Sequence, residues 1–466
     1  MFEWVGGSHS AAVRPTAVTT TDLKDWLAAL AALDADVTDA ERIQQLRALE
    51  ELKSAAAAAQ VRVTADLDES VRAERAARGV PASERGRGIG AQVALARRES
   101  PNRGGRHLGF ARALVTEMPH TLAAVTDGGL SEWRATLLVR ETACLSREDR
   151  GRVDAELCAD PATLAGMGDR AVSDAARRAA YRLDPQAAVS RASRAQSDRC
   201  VSLRPAPDTM SYLTGLLPVA QGVAAHAALS AAADQAHAAG DPRSRQQVMA
   251  DTLVERVTGQ STAHSTPVNV NLVMTERSLL AGDDEPAEIV GYGPVSAGTA
   301  RDLLRRHTQT DDPAGQAWLR RLFTHPTTGE LVAMQAKAET FPPALRQLLV
   351  FRDQTCRTPW CDAPVRHADH ARRRADGGET SAGNGQGLCE QCNYVKEAPG
   401  WAAAEHASSG TGHHVVQTTT PTGHRYRSRP PPLPGAPPDL TERGSTRALG
   451  SIDVYFTELL RDFDAA

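Results

Sequence analysis

Apolar residues return every three or four positions through most of the first two hundred residues, the spacing of an amphipathic helix. The first twenty residues lack that period, and 1–20 is expected to be disordered. From Thr21 onward Leu23, Trp26, Leu27 and Leu30 share one helical face. Thr38-Asp39-Ala40-Glu41 has the form of a capping box. It opens a long helix whose apolar stripe is predicted to hold Ile43, Leu46, Leu49, Leu52, Ala56, Ala59, Val63 and Leu67, ended by Gly79-Val80-Pro81. So much alanine suits close packing, either inside a bundle or along a homodimer seam. Further helices are expected over 91–98, 107–118, 131–142 and 147–159. Between the first two, Arg97, Arg98, Arg103 and Arg106 form a basic loop, read as a solvated surface.

Near residue 200 the period shortens to two. Val201 and Leu203, Met210 and Tyr212, and the run 213–217 read as short strands. Val268, Val270 and Leu272 alternate with Asn269 and Asn271, a half-buried strand. A turn at Gly291-Tyr292-Gly293-Pro294 and a helix over 300–307 follow, then a turn at 325–330 and a strand over 331–334. A helix over 343–352 leads into a cysteine-rich segment. Beyond Trp401 the pattern gives a β-ribbon with its turn at Pro421-Thr422-Gly423. Residues 429–450 read as a proline-rich linker. In 451–466, Ile452, Phe456, Leu459, Leu460 and Phe463 fall on one face of an amphipathic helix, expected to dock on its own chain.

Charge changes this picture little. Lys and Arg number 53 and Asp and Glu 57, a net charge of −4, so any phosphate contact must come from local patches. Aromatics are only 4% of the chain, which favours an Ala, Leu and Val core built from helices. No apolar run is long enough to span a bilayer, and no secretory signal is visible at the start, so a cytoplasmic location is expected.

Seven cysteines are too few for a disulfide framework, but four of them cluster. Cys356-x4-Cys361 and Cys389-x2-Cys392 are two knuckles that would aim four sulfurs at one structural Zn²⁺ about 2.3 Å away. Such a site is closed and carries no catalysis. Its net charge of about −2 has Arg357 and Lys396 nearby in sequence to offset it. The insert between the knuckles holds Asp369-His370, a run Arg372-Arg373-Arg374, a reversal at Gly377-Gly378, and Asn384. The helix after Cys389 would bring Asn393 to the same spot, so that an imidazole, a carboxylate and two carboxamides converge.

Asp369-His370, Gly377-Gly378, Asn384 and Cys389-x-x-Cys392-Asn393-x-x-Lys396 resemble the HNH nuclease motif in its zinc-stapled ββα-metal form. That resemblance covers residues 345–405. The Gln92–Arg98 helix, Gly291-Tyr292-Gly293-Pro294, the turn at His325-Pro326-Thr327-Thr328-Gly329 and the tail from Arg425 to Pro431 resemble bacterial HNH proteins with a long N-terminal helical domain of unknown function, among them the thirteen-E-twelve repeat proteins. The implied architecture is a mainly α N-terminal domain with a small inserted β-sheet (21–340), an HNH module (341–405) and a β-ribbon extension (406–428).

The resemblance implies roles. His370 would be the general base and Asn384 would brace the hairpin that aims it. Asp369 and Asn393 would hold one Mg²⁺ or Mn²⁺ against the scissile phosphate. Arg372, Arg373, Arg374 and Lys396 would contact DNA phosphates. Imidazole has the basicity that this hydrolysis needs near neutral pH, and a carboxylate with an amide oxygen suits a hard cation. Ala371 and Gly385 stand where relatives carry larger residues, which predicts a loosely packed hairpin. His367 is read as a surface residue or at best a phosphate contact, and His413 and His414 are read as inert. The expectation is therefore a DNA endonuclease. The alternative is a zinc-stapled DNA-binding protein of mobile-element origin that no longer cleaves.

Overall fold

The computed structural model describes residues 18–34, 36–259, 272–308, 341–406, 414–431 and 433–434. The expectations for 1–17, 260–271, 309–340 and 435–466 lie outside the described residues, including the strand over 331–334 and the C-terminal amphipathic helix.

The helices begin where short polar side chains can take up their free amides. Thr19 and Asp22 cap α1 (Thr20–Ala31) reciprocally, and Thr38 accepts from Glu41 N at 3.3 Å to open α2 (Asp39–Ala77). Next come α3 (Ile89–Arg97), α4 (Pro101–Glu117), α5 (Pro119–Thr126) and α6 (Glu132–Glu141), then α7 (Arg147–Cys158), α8 (Asp169–Leu183) and α9 (Pro185–Ala195). Pro101 and Pro119 sit in first turns, where no amide is lost. Buried Asp154 caps α5 from outside the helix, accepting from His120 N and Thr121 N, both at 2.8 Å.

The main core lies among α2 and α4 to α8. Leu114, Met118, Val125, Leu138, Val153 and Val172 fill it, with Ala58, Ala111, Ala135 and Ala176 where helices approach closely. The stripe expected on α2 is wrong in phase. Ile43, Leu46 and Val63 are more than 60% exposed, whereas Ser54, Ala57, Ala58, Val61, Thr64, Asp68 and Arg75 are buried. Small residues face the bundle because α4 and α5 lie close, and the large apolar ones fall before α2 reaches it or turn away. Asp68 tolerates burial because it accepts from Arg112 Nε at 2.6 Å, Arg112 Nη2 at 2.7 Å and Arg72 Nε at 2.8 Å. α1 buries none of its residues.

Among the described residues the inserted β-structure is two small sheets rather than one. β1 (Cys200–Pro205) and β2 (Ser211–Leu216) form an antiparallel ribbon. Two helices, α10 (Val219–Ala238) and α11 (Arg245–Thr258), intervene before β3 (Leu272–Val273), β4 (Ala287–Ile289) and β5 (Gly293–Val295). α12 (Ala297–Thr308) then follows.

The C-terminal module begins with α13 (Pro343–Asp353). β6 (His367–His370) pairs antiparallel with β7 (Gly385–Leu388), and α14 (Glu390–Lys396) packs against β6. β8 (Ala402–Glu405), β9 (Val416–Thr419) and β10 (Arg425–Ser428) form an antiparallel sheet in the order β10-β9-β8, so the expected ribbon gains a third strand. The module sits on α3. Ala91 and Leu95 meet Ala398 and Trp401, and Arg87 Nη2 donates to Tyr394 O at 2.8 Å.

Candidate metal centre and hairpin site

The end of α13 is tied to β7 before the first knuckle begins. Buried Asp353 accepts from Arg352 and, at 2.6 Å, from Gly387 N, while Arg352 donates to Ala382 O and Gly385 O. A bridge between Thr355 and Pro364 closes the first knuckle, with Cys356 N donating to Ala363 O at 2.9 Å. Cys389 caps α14, its sulfur accepting from Cys392 N at 3.4 Å.

All four knuckle cysteines are buried, and their sulfurs lie within 4.8 Å of one another. Cys361 Sγ stands 3.8 Å from Cys389 Sγ and 3.7 Å from Cys392 Sγ. Four sulfurs about 2.3 Å from a tetrahedral Zn²⁺ would be about 3.8 Å apart, so the donor set and the spacing fit that ion. Shared thiol hydrogen bonds pull Cys389 and Cys356 below the ordinary thiol range and push Cys361 and Cys392 above it. Without a cation the cluster would not release all four protons. No other group of three or more His, Cys, Asp or Glu side chains among the described residues is placed to hold a metal.

At the far end of α14 stand the residues of the insert. Asp369 Oδ2 forms an ion pair with the buried Lys396 ammonium, which also donates to His370 O at 2.6 Å. Asn393 lies one turn before Lys396 on α14, half-buried, on the face that Lys396 turns toward β6. Asp369 Oδ1 and the Asn393 carboxamide make no hydrogen bond among the described residues, which leaves two hard oxygen donors. A Mg²⁺ or Mn²⁺ ion needs only one or two such protein ligands.

His370 closes β6. Its Nε2 is 2.8 Å from buried Thr380 Oγ1, and its ring lies 4.6 Å from that of Phe341. Burial holds the imidazole below the usual histidine range; Asp369 opposes that shift, and Lys396 and Arg374 add to it. Asn384 spends its carboxamide on the loop, accepting from Arg372 N at 2.8 Å and donating to Arg372 O and Glu379 O. At the reversal, Gly378 lies so close to Arg372 O that a Cβ would stand 1.9 Å from it.

Several expected positions differ. Lys396 is buried on Asp369 and does not face solvent for a phosphate. Arg373 donates to Lys396 O and pairs with Glu397 at 3.2 Å; Arg372 and Arg374 are the exposed pair. Arg357 is buried, donating to His414 O and Ser428 O. Gly385 is required rather than loose, since a Cβ there would meet Ser381 O at 2.8 Å and Leu349 at 2.9 Å. His414 is not an inert ribbon residue: it is buried with Nε2 2.7 Å from Gly383 O. Sequence reasoning also missed Asp353, Thr380 and Phe341, whose roles come from contacts between distant segments.

The fold and site define a mainly helical protein carrying small sheets and, near its C-terminus, a buried four-cysteine cluster able to hold a metal such as zinc. The chain belongs to the family described as Domain of unknown function (DUF222), which matches residues 20–353. The match ends at the last residue of α13, so the cysteine cluster lies beyond it. No curated protein and no solved structure matches the chain. No helix among the described residues is long and apolar enough to cross a membrane.

Proposed function

We propose that the C-terminal module is a metal-dependent HNH-type endonuclease that hydrolyses DNA phosphodiester bonds. The observation that carries the reading is the state of His370. It is half-buried, held below the usual histidine range by burial, and engaged at Nε2 by Thr380, which leaves Nδ1 to accept a proton. Asp369 and Asn393 would hold a hard divalent cation, which would stabilise charge developing on the scissile phosphate.

The chain's own residues do the rest. His370 takes a proton from water at Nδ1. Thr380 and Phe341 fix the ring, and Asn384 fixes the loop that carries Thr380. Lys396 holds Asp369 and the His370 main chain together. Arg372 and Arg374 are exposed beside the hairpin and would meet backbone phosphates without reading sequence. The four-cysteine cluster pins the two knuckles and takes no part in the chemistry.

A second reading has one observation in its favour. The Asp369 charge is already matched by Lys396, as it would be in a module that binds DNA without cutting it. Conversion of supercoiled plasmid to nicked or linear form, with Mg²⁺ or Mn²⁺ added or omitted, separates the two. The nuclease reading expects divalent-dependent conversion by the wild type and at least a hundredfold loss in His370→Ala. Equal conversion by both proteins would refute it.

A further inference from the structure

Between the first knuckle and β10 lies a cavity of about 300 Å³. Its wall includes Thr355, Thr358, Trp360, Arg427, Ser428 and Arg429. Trp360 has φ 59°, in the left-handed region where glycine is the ordinary residue and a bulky side chain is strained. That backbone holds the indole 42% exposed, with its ring edge-on to Tyr426 at 5.9 Å and 81°. Strain kept at a surface aromatic points to a ligand for its open face.

The charges around the cavity are graded. Its floor is a buried pair, Arg357 Nε 3.8 Å from Asp353 Oδ1. Its mouth carries two exposed guanidinium groups, Arg427 and Arg429. The Ser428 hydroxyl is buried and has no hydrogen-bond partner. A flat heterocycle joined to a phosphate matches the exposed features: ring on the indole, phosphate at the arginines.

We infer that this cavity takes an unstacked nucleobase of a single-stranded nucleic acid, with Arg427 and Arg429 on the flanking backbone. The cavity and the Asp369-His370 pair belong to the same C-terminal module. The inference rests on the nuclease reading for its ligand class, but its test does not require cleavage.

Binding of a fluorescein-labelled oligo(dT) and of a mixed-sequence duplex is followed by anisotropy, with no divalent cation added and one zinc per chain verified. Trp360→Gly is the informative variant, because glycine suits that backbone and the fold is retained. It should bind oligo(dT) about tenfold more weakly, the scale of one base–aromatic stack, and change duplex affinity less than twofold. Arg427→Gln with Arg429→Gln should lower the slope of log affinity against log salt by about 1.4 for the single strand. Unchanged oligo(dT) affinity in Trp360→Gly, or no binding of oligo(dT) by the wild type, overturns the inference. A plasmid-nicking wild type with unchanged Trp360→Gly binding removes only the base pocket. Trp360-dependent binding without any nicking removes only the nuclease reading.

Discussion

Buried His414 links the β9 strand to the hairpin that carries the candidate site, and protonating it should loosen that link. Its Nε2 donates to Gly383 O at 2.7 Å. Burial lowers its pKa from the ordinary 6.5 to about 4, with Arg352 and Arg357 adding repulsion against a proton. A histidine with a depressed folded pKa contributes its full stability above the unfolded value of 6.5, and that stability is lost as pH falls toward 4. A shift of that size corresponds to roughly 3 kcal/mol once titration is complete, and to about 2 kcal/mol by pH 5. His414→Gln keeps an N–H to offer Gly383 but cannot titrate. Hydrogen exchange read by mass spectrometry on peptides covering 385–388 and 416–419 gives the local opening free energy, after correction for intrinsic exchange. Between pH 7.5 and pH 5, the wild type should lose about 2 kcal/mol more than His414→Gln does. Equal pH slopes in the two proteins would refute the reasoning.

Two other perturbations test the frame around the site. Asp68→Ala removes the shared acceptor of Arg72 and Arg112 and should destabilise the helical domain by about 3 kcal/mol in urea unfolding, whereas a loss under about 1 kcal/mol would mean that the pair contributes little. Cys389→Ser should abolish stoichiometric zinc by atomic emission and expose the 385–405 amides to exchange, while the α4 to α8 amides keep their protection.

The sequence revealed α1 to α4, α6, α7, α12 and α13, because their 3.6-residue period and their polar caps are local properties, whereas α5 and α8 to α11 were not delimited. Thr38 and Ser131 cap where local chemistry says they should. The four-cysteine site was equally legible, since two short spacings already bring each sulfur pair together. The buried face of α2 was not, because which side of an alanine-rich helix goes inward depends on how closely α4 and α5 approach. β8 was missed for the same kind of reason: Ala402–Glu405 is a poor strand by propensity and exists through pairing with β9. In the hairpin, Asp369, His370 and Asn384 could be picked out by residue type. Thr380 and Phe341 could not, nor could the pairing of Lys396 with Asp369, because each meets its neighbour only after the chain has turned back on itself.

The proposed nuclease role requires a hard-cation site separate from the cysteine cluster and centred on Asp369. Electron paramagnetic resonance of Mn²⁺ titrated into zinc-loaded protein measures it directly. One Mn²⁺ per wild-type chain, lost in Asp369→Asn while zinc stays at one per chain, is the predicted result. Mn²⁺ that binds equally to both proteins, or to neither, would contradict it.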